Sequence, residues 1–98
     1  MGKNISKTSW VWVIISDPGD NEKIVGQHDQ NKNIDFIPTF ITKDEAMQGF
    51  MNLPREKGHK YEVQAIIFED LATYANHNGF KILFLDEDGK VLDNNITD

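Results

Sequence analysis

The chain has no cysteine, three prolines and a single arginine, Arg55. Without cysteine there is no disulfide framework, no thiolate nucleophile and no thiolate metal site, which suits a reducing compartment such as the cytoplasm. Basic residues are scarce as well: ten Lys and Arg face sixteen Asp and Glu, for a net charge of −6. Phosphate backbones are bound by clustered cations that release counterions, so nucleic acid is not an expected ligand. The longest apolar run, residues 10–15, is far shorter than the roughly 20 residues that cross a bilayer. No charged stretch with an apolar core and cleavage site precedes it. A soluble, cytoplasmic chain without a membrane partner is the expectation. No repeat or low-complexity segment occurs, and no G-x-x-x-x-G-K-[ST] or G-x-G-x-x-G loop is present to hold a phosphate. Neither a cofactor nor a bound metal is expected.

What is there begins with FIPTFITKDEAMQGFMNL, residues 36–53. A short apolar run passes into an amphipathic helix across Thr42 and Glu45, which have the spacing of a capping box. Ala46, Met47, Phe50 and Leu53 keep one face apolar, and Pro54 cannot donate to a further turn. Gly49 inside this helix costs roughly 1 kcal/mol relative to alanine, which suggests close approach of a neighbour.

The rest of the chain reads as one domain of 98 residues. Residues 1–9 are a polar arm. Residues 10–16 alternate Trp10, Trp12 and Ile14 with Val11, Val13 and Ile15, a strand apolar on both faces and so an inner one. The sequence Asp17-Pro18-Gly19-Asp20 is a turn, residues 22–27 a weaker strand and residues 28–33 a polar loop. Residues 35–41 form a strand whose Pro38 must avoid a ladder bond. After a loop over residues 55–60, Tyr61, Val63, Ala65 and Ile67 alternate with Glu62 and Gln64 in a strand with one wet face. A second helix follows at Phe68, with Leu71, Ala72 and Ala75 on its apolar stripe and Asn78-Gly79 at its end. Residues 81–85 are a buried strand, Asp88-Gly89 a tight turn and residues 90–92 a last strand. Residues 94–98 read as a polar tail.

The order βββαβαββ places two strand–helix–strand crossovers in succession, which makes their three strands parallel within a mixed sheet. The expected class is therefore α+β, a sheet of five to six strands. Because Glu62 and Gln64 share a face, both helices are expected on the other one, in two layers.

The segments VWVII, EKIVG, FITKDEAMQGF and YEVQAIIFEDLATYANHNGFKI resemble a small family of uncharacterised α/β proteins known mainly from phototrophs. The junction Phe40-Ile41-Thr42-Lys43-Asp44-Glu45-Ala46 is also similar to one in the amino-terminal domain of SseB-type proteins. These resemblances imply an α/β fold over residues 10–85 and no reaction, cofactor or catalytic residue.

Asp86-Glu87-Asp88-Gly89 opens like a calcium loop, but the twelfth position that needs a bidentate Glu is Thr97. His28, His59 and His77 lack partners at ligand spacing, though His28-Asp29 would gain one if Asp35 joined it. Ser6, Ser9 and Ser16 lie in no nucleophile elbow, and no catalytic residue is assigned. Met1, Gly2 and Ser6 fit a myristoylation pattern, and Asn4-Ile5-Ser6 and Asn95-Ile96-Thr97 fit the glycosylation triplet. Patterns this short arise by chance and carry no expectation here. Trp10 and Trp12, on one face of a strand apolar on both sides, are expected in the core rather than as a stacking platform.

Parallel crossover strands also sort the charges. Their carboxyl edge gathers Asp44, Glu45, Glu69, Asp70, Asp86, Glu87 and Asp88, and Arg55, Lys57, His59, Lys60 and Lys81 gather at the opposite edge. Ligands of open parallel sheets bind outside the carboxyl ends. Candidate binding residues are therefore the acidic set Asp44, Glu69, Asp70, Asp86 and Asp88 and the basic loop Arg55, Lys57, His59 and Lys60. The leading expectation is a non-enzymatic interaction or adaptor module, and the alternative is a small-ligand or regulatory domain. A helix-free apolar sheet face, unless covered, further implies a homodimer or a partner protein.

Overall fold

The structure is a computed structural model that describes residues 4–53, 56–92 and 95–96. Its elements are β1 (Asn4–Ile5), β2 (Trp10–Ser16), β3 (Lys23–Ile24), β4 (Gln27–Asp29), β5 (Ile34–Thr39), α1 (Lys43–Phe50), β6 (Tyr61–Ile67), α2 (Phe68–Asn78), β7 (Lys81–Phe84) and β8 (Asn95–Ile96). The α+β class holds, with two helices and two three-stranded sheets, ordered β3-β2-β6 and β4-β5-β7.

Among the described residues the backbones of the two sheets pair at one bridge. Trp12 and Phe40 exchange reciprocal N–H to C=O bonds of 2.9 Å in antiparallel sense. Pro38 accounts for the narrowness of that junction. The N–H of Leu85 reaches the C=O of Thr39, so Ile37 and Thr39 point to β7, while Pro38 and Phe40 point the other way. Strand β4 pairs only as far as Phe36, so the N–H that proline lacks falls in the gap before Trp12. Strands β5 and β6 are each antiparallel to β2, and β7 is parallel to β5, so the three crossover strands run in one direction as expected.

Their helices, however, lie on opposite faces, which corrects the expectation of both on one. Val11, Val13 and Ile15 pack with Phe68, Leu71 and Ala75 of α2, together with Ile37 and Phe84. Ile14 packs with Ala46 of α1, Phe40 and Leu85, and Trp12, Phe50 and Val63 join from their margin. Because β2 lies between β5 and β6, the crossover from β5 to β6 and the one from β6 to β7 travel in opposite directions. Right-handed connections of opposite direction put their helices on opposite sides. Glu62 and Gln64 are wet because β6 is an edge strand, not because a face lacks a helix. The helix-free face on which a homodimer was expected is thus not what this fold presents.

Thr42 caps α1 as read from the sequence, its Oγ1 accepting from the Glu45 N–H at 3.2 Å. The return arm differs: the Thr42 hydroxyl donates to Glu45 Oε1 at 3.0 Å. The helix ends at Phe50, and Met51, Asn52 and Leu53 continue it with tighter bonds to residues three back. A Cβ on Gly49 would run into the Phe40 ring and lie 3.1 Å from the Asp86 carbonyl, which explains the glycine.

Helix α2 has no side-chain cap. The Phe68 N–H donates to the Ser9 carbonyl at 2.8 Å and the Glu69 N–H to that of Lys7 at 3.0 Å. The segment read as a loose arm therefore closes the helix end, and its Ile5 is buried in the α2 core beside the parallel β1–β8 pair. At the other end Gly79 adopts φ 74° and Phe80 folds back, stacked on Tyr74 at 6.4 Å. Strand β4 forms within the stretch read as loop, because His28 and Asp29 pair with Asp35 and Ile34. Residues 90–92 hold only an isolated bridge, Leu85 to Val91.

Candidate functional site

Where β2 ends, Asp17 takes a left-handed conformation, φ 51°, that an aspartate tolerates better than most residues. That bend starts the turn read from the sequence, closed by Asp20 N–H to Asp17 C=O at 3.0 Å and by Gly19 N–H to Glu22 Oε1 at 2.9 Å. Asn21 is left-handed too, φ 58°, and the chain returns as β3 with Ile24 opposite Ile15.

Across β2, the segment entering β6 is held to the same aspartate. The Asp17 N–H donates to the Lys60 carbonyl at 2.7 Å, and Asp17 Oδ1 accepts the Lys60 N–H at 3.3 Å. His59 Nδ1 donates to Asp17 Oδ2 at 2.8 Å. This bond holds the Asp17 carboxyl below its ordinary value and raises the His59 imidazole above its own, so both charged forms are favoured. The second imidazole nitrogen of the cation remains a donor.

Between these two segments lies an open cleft of about 510 Å³. The end of β2 and its turn contribute Ser16, Asp17 and Asn21, the chain from β3 into β4 contributes Lys23, Ile24, Val25, Gly26 and Gln27, and the segment entering β6 contributes Glu56, His59 and Tyr61. Tyr61 is fixed by three contacts: its hydroxyl accepts the Glu56 N–H at 3.0 Å, and its ring lies 5.5 Å from that of Phe50 and 6.5 Å from that of His59. The Ser16 hydroxyl donates to the Lys23 carbonyl at 3.4 Å, so it is not paired with His59 as a nucleophile would be. Lys23 and Glu56 act on the Asp17–His59 pair only through their charges, and among the described residues neither forms an ion pair. Among the described residues the cleft thus carries one neutralised pair, one ammonium and one carboxylate without an ion-pair partner.

Of the basic loop, His59 enters the cleft, Lys60 contributes its backbone, and Lys57 is exposed outside the lining. Arg55 lies outside the described residues. The acidic set occupies one edge of the sheet, as the parallel strands require. Asp44, Glu69 and Asp70 are exposed in the first turns of α1 and α2. Asp86 Oδ1 is committed to its own turn, accepting from the N–H groups of Asp88 at 2.9 Å and Lys90 at 3.0 Å. Among the described residues no three His, Asp or Glu side chains form a group that could hold a metal ion.

His28 does join Asp35, Nδ1 to Oδ1 at 2.8 Å, as an exposed pair across the β4–β5 register. Trp12 is half-buried with the Lys43 ammonium 5.9 Å from its ring centre, whereas Trp10 is 62% exposed and not in the core. Asp17, Lys23 and Glu56 carry no functional signal in the sequence, where they read as turn, strand and loop residues respectively. Only the fold brings Asp17 to His59, 42 positions away.

Comparison of the chain with protein-family models, with curated proteins and with solved structures finds no match to any of them.

Proposed function

We propose that the chain is a small-ligand-binding or regulatory domain whose cleft takes a small zwitterion of the free amino-acid type. The observation that supports this is that the lining of one concave site holds Lys23 and Glu56, from two different segments, neither of them ion-paired among the described residues. A ligand carboxylate is complementary to Lys23 and the free N–H of His59, and a ligand ammonium to Glu56. Ile24 and Val25 offer apolar contact to a side chain. Asp17 serves as a positioning residue: it orients the imidazole and neutralises its charge. An adaptor role remains the second reading, its ground moved from a bare sheet face to the edge of β6.

Thermal-shift assays with a panel of free amino acids test the proposal, with acetate and methylamine as single-charge controls. At least one amino acid is expected to raise the melting temperature where neither control does, and Lys23→Gln or Glu56→Gln to abolish the rise. No rise with any amino acid, or a rise unchanged by both substitutions, would contradict it.

A further inference from the structure

Strand β6 is seven residues long, it ends the order β3-β2-β6, and not one of its residues is buried. Lys60 directs its carbonyl to Asp17 on the β2 side, so by the alternation of an antiparallel ladder Glu62, Gln64 and Ile66 face β2 as well. Tyr61, Val63 and Ala65 direct their N–H and C=O groups outward. Among the described residues no backbone bond reaches them. Of the devices that usually guard an edge, β6 has neither proline nor lysine, and its one charge is Glu62, whose backbone faces β2. Exposed Ala65 and, beside Ile67 in the register, exposed Trp10 add apolar surface along it.

We propose that this edge pairs with the same edge of a second copy of the chain, antiparallel and centred on Gln64. This is the register in which all seven residues overlap. Both requirements of an isologous pair are then met. Val63 of one copy lies opposite Ala65 of the other, so the outward groups meet each other and exchange both bonds of a hydrogen-bonded pair. Tyr61 lies opposite Ile67, and Gln64 opposite Gln64, where two amides can bond to each other.

Charge selects the occupant. Lys57 and Lys60 precede β6, outnumbering Glu56 there while His59 is neutralised by Asp17, and Glu69 and Asp70 follow it in the first turn of α2, all exposed. Antiparallel addition sets the basic flank of each copy beside the acidic flank of the other, twice by symmetry. A chain of net charge −6 would otherwise repel its own copy. Lys57 and Lys60 from one of the charge sets read from the sequence, and Glu69 and Asp70 from the other, thereby become halves of one self-complementary interface. The inference rests on the edge alone and is independent of the cleft.

Sedimentation velocity on the whole chain, from micromolar to near-millimolar concentration, tests it. The wild type is expected to pass from monomer to dimer. Ala65→Pro removes an outward N–H without touching the β2 ladder, and weakens association about tenfold or more. Lys60→Glu and Glu69→Lys each weaken it alone, and mixing the two variants restores it, because both contacts of the mixed dimer regain opposite charges. The restoration is unaffected by any small loss of stability in the proline variant. A wild type that is monomeric throughout, or a dimer that none of the three substitutions weakens, overturns the proposal.

Discussion

Asp17 and His59 are joined by a 2.8 Å hydrogen bond that ties the end of β2 to the residues entering β6. Three bonds converge on that one aspartate from His59 and Lys60, and they hold it in a left-handed conformation. These bonds fasten the turn to the start of β6, two of the segments that line the cleft.

The fastening has a defined pH window. The imidazole value is raised above 6.5, so its contribution to stability is complete below 6.5 and is lost as pH rises through the raised value. The carboxyl value is lowered below 3.8, so its contribution is complete above 3.8 and is lost as pH falls through the lowered value. His59→Gln is expected to destabilise most between those ordinary values and least above the raised imidazole value. Denaturant midpoints of wild type and variant at acidic and alkaline pH check this, and an equal difference at both would mean the pair is not charged.

The conformation of Asp17 gives a second test. Asp17→Asn keeps a residue that accepts positive φ and keeps an oxygen for the Lys60 N–H, so it should cost little beyond the pH dependence. Asp17→Val, with φ 51° imposed on a β-branched residue, should cost a further 1 to 3 kcal/mol or so in chemical denaturation.

Gly49→Ala should destabilise the protein, although alanine is favoured in a helix by about 1 kcal/mol. The added Cβ meets the Phe40 ring in a fully buried setting, and overpacking of that kind costs about 1 to 3 kcal/mol. A rise in the denaturation midpoint would show that Phe40 has room to move.

Thr42→Ala should cost about 1 kcal/mol and Glu45→Ala less, with the double variant close to the first alone. Thr42 serves both bonds, accepting from the Glu45 N–H and donating to Glu45 Oε1. Thr42→Ser retains both and should restore most of the loss.

The legible parts of the fold were those written locally. The Thr42 cap, the Gly79 stop, the Asp17 turn and the parallel sense of β5, β6 and β7 follow from spacing and connection rules. Strand order was not legible: insertion of β2 between β5 and β6 leaves no mark in either segment, yet it decides which face each helix covers. Trp10 reads as core because its neighbours alternate in the same way, but it stands at the first position of β2 and is absent from the α1 cluster that holds Trp12 and Ile14. His59 could be singled out by its residue type. Its partner could not, because a turn explains Asp17 completely until the fold places Lys60 beside it.

Amide chemical-shift mapping during titration with free amino acids tests the central claim most directly. Binding at the cleft predicts shifts concentrated at Asn21, Lys23, Gly26, His59 and Tyr61, absent with acetate or methylamine and lost in the Lys23→Gln, Glu56→Gln double variant. Shifts scattered over the surface, or none there with any amino acid, would contradict the assignment of this cleft as a binding site.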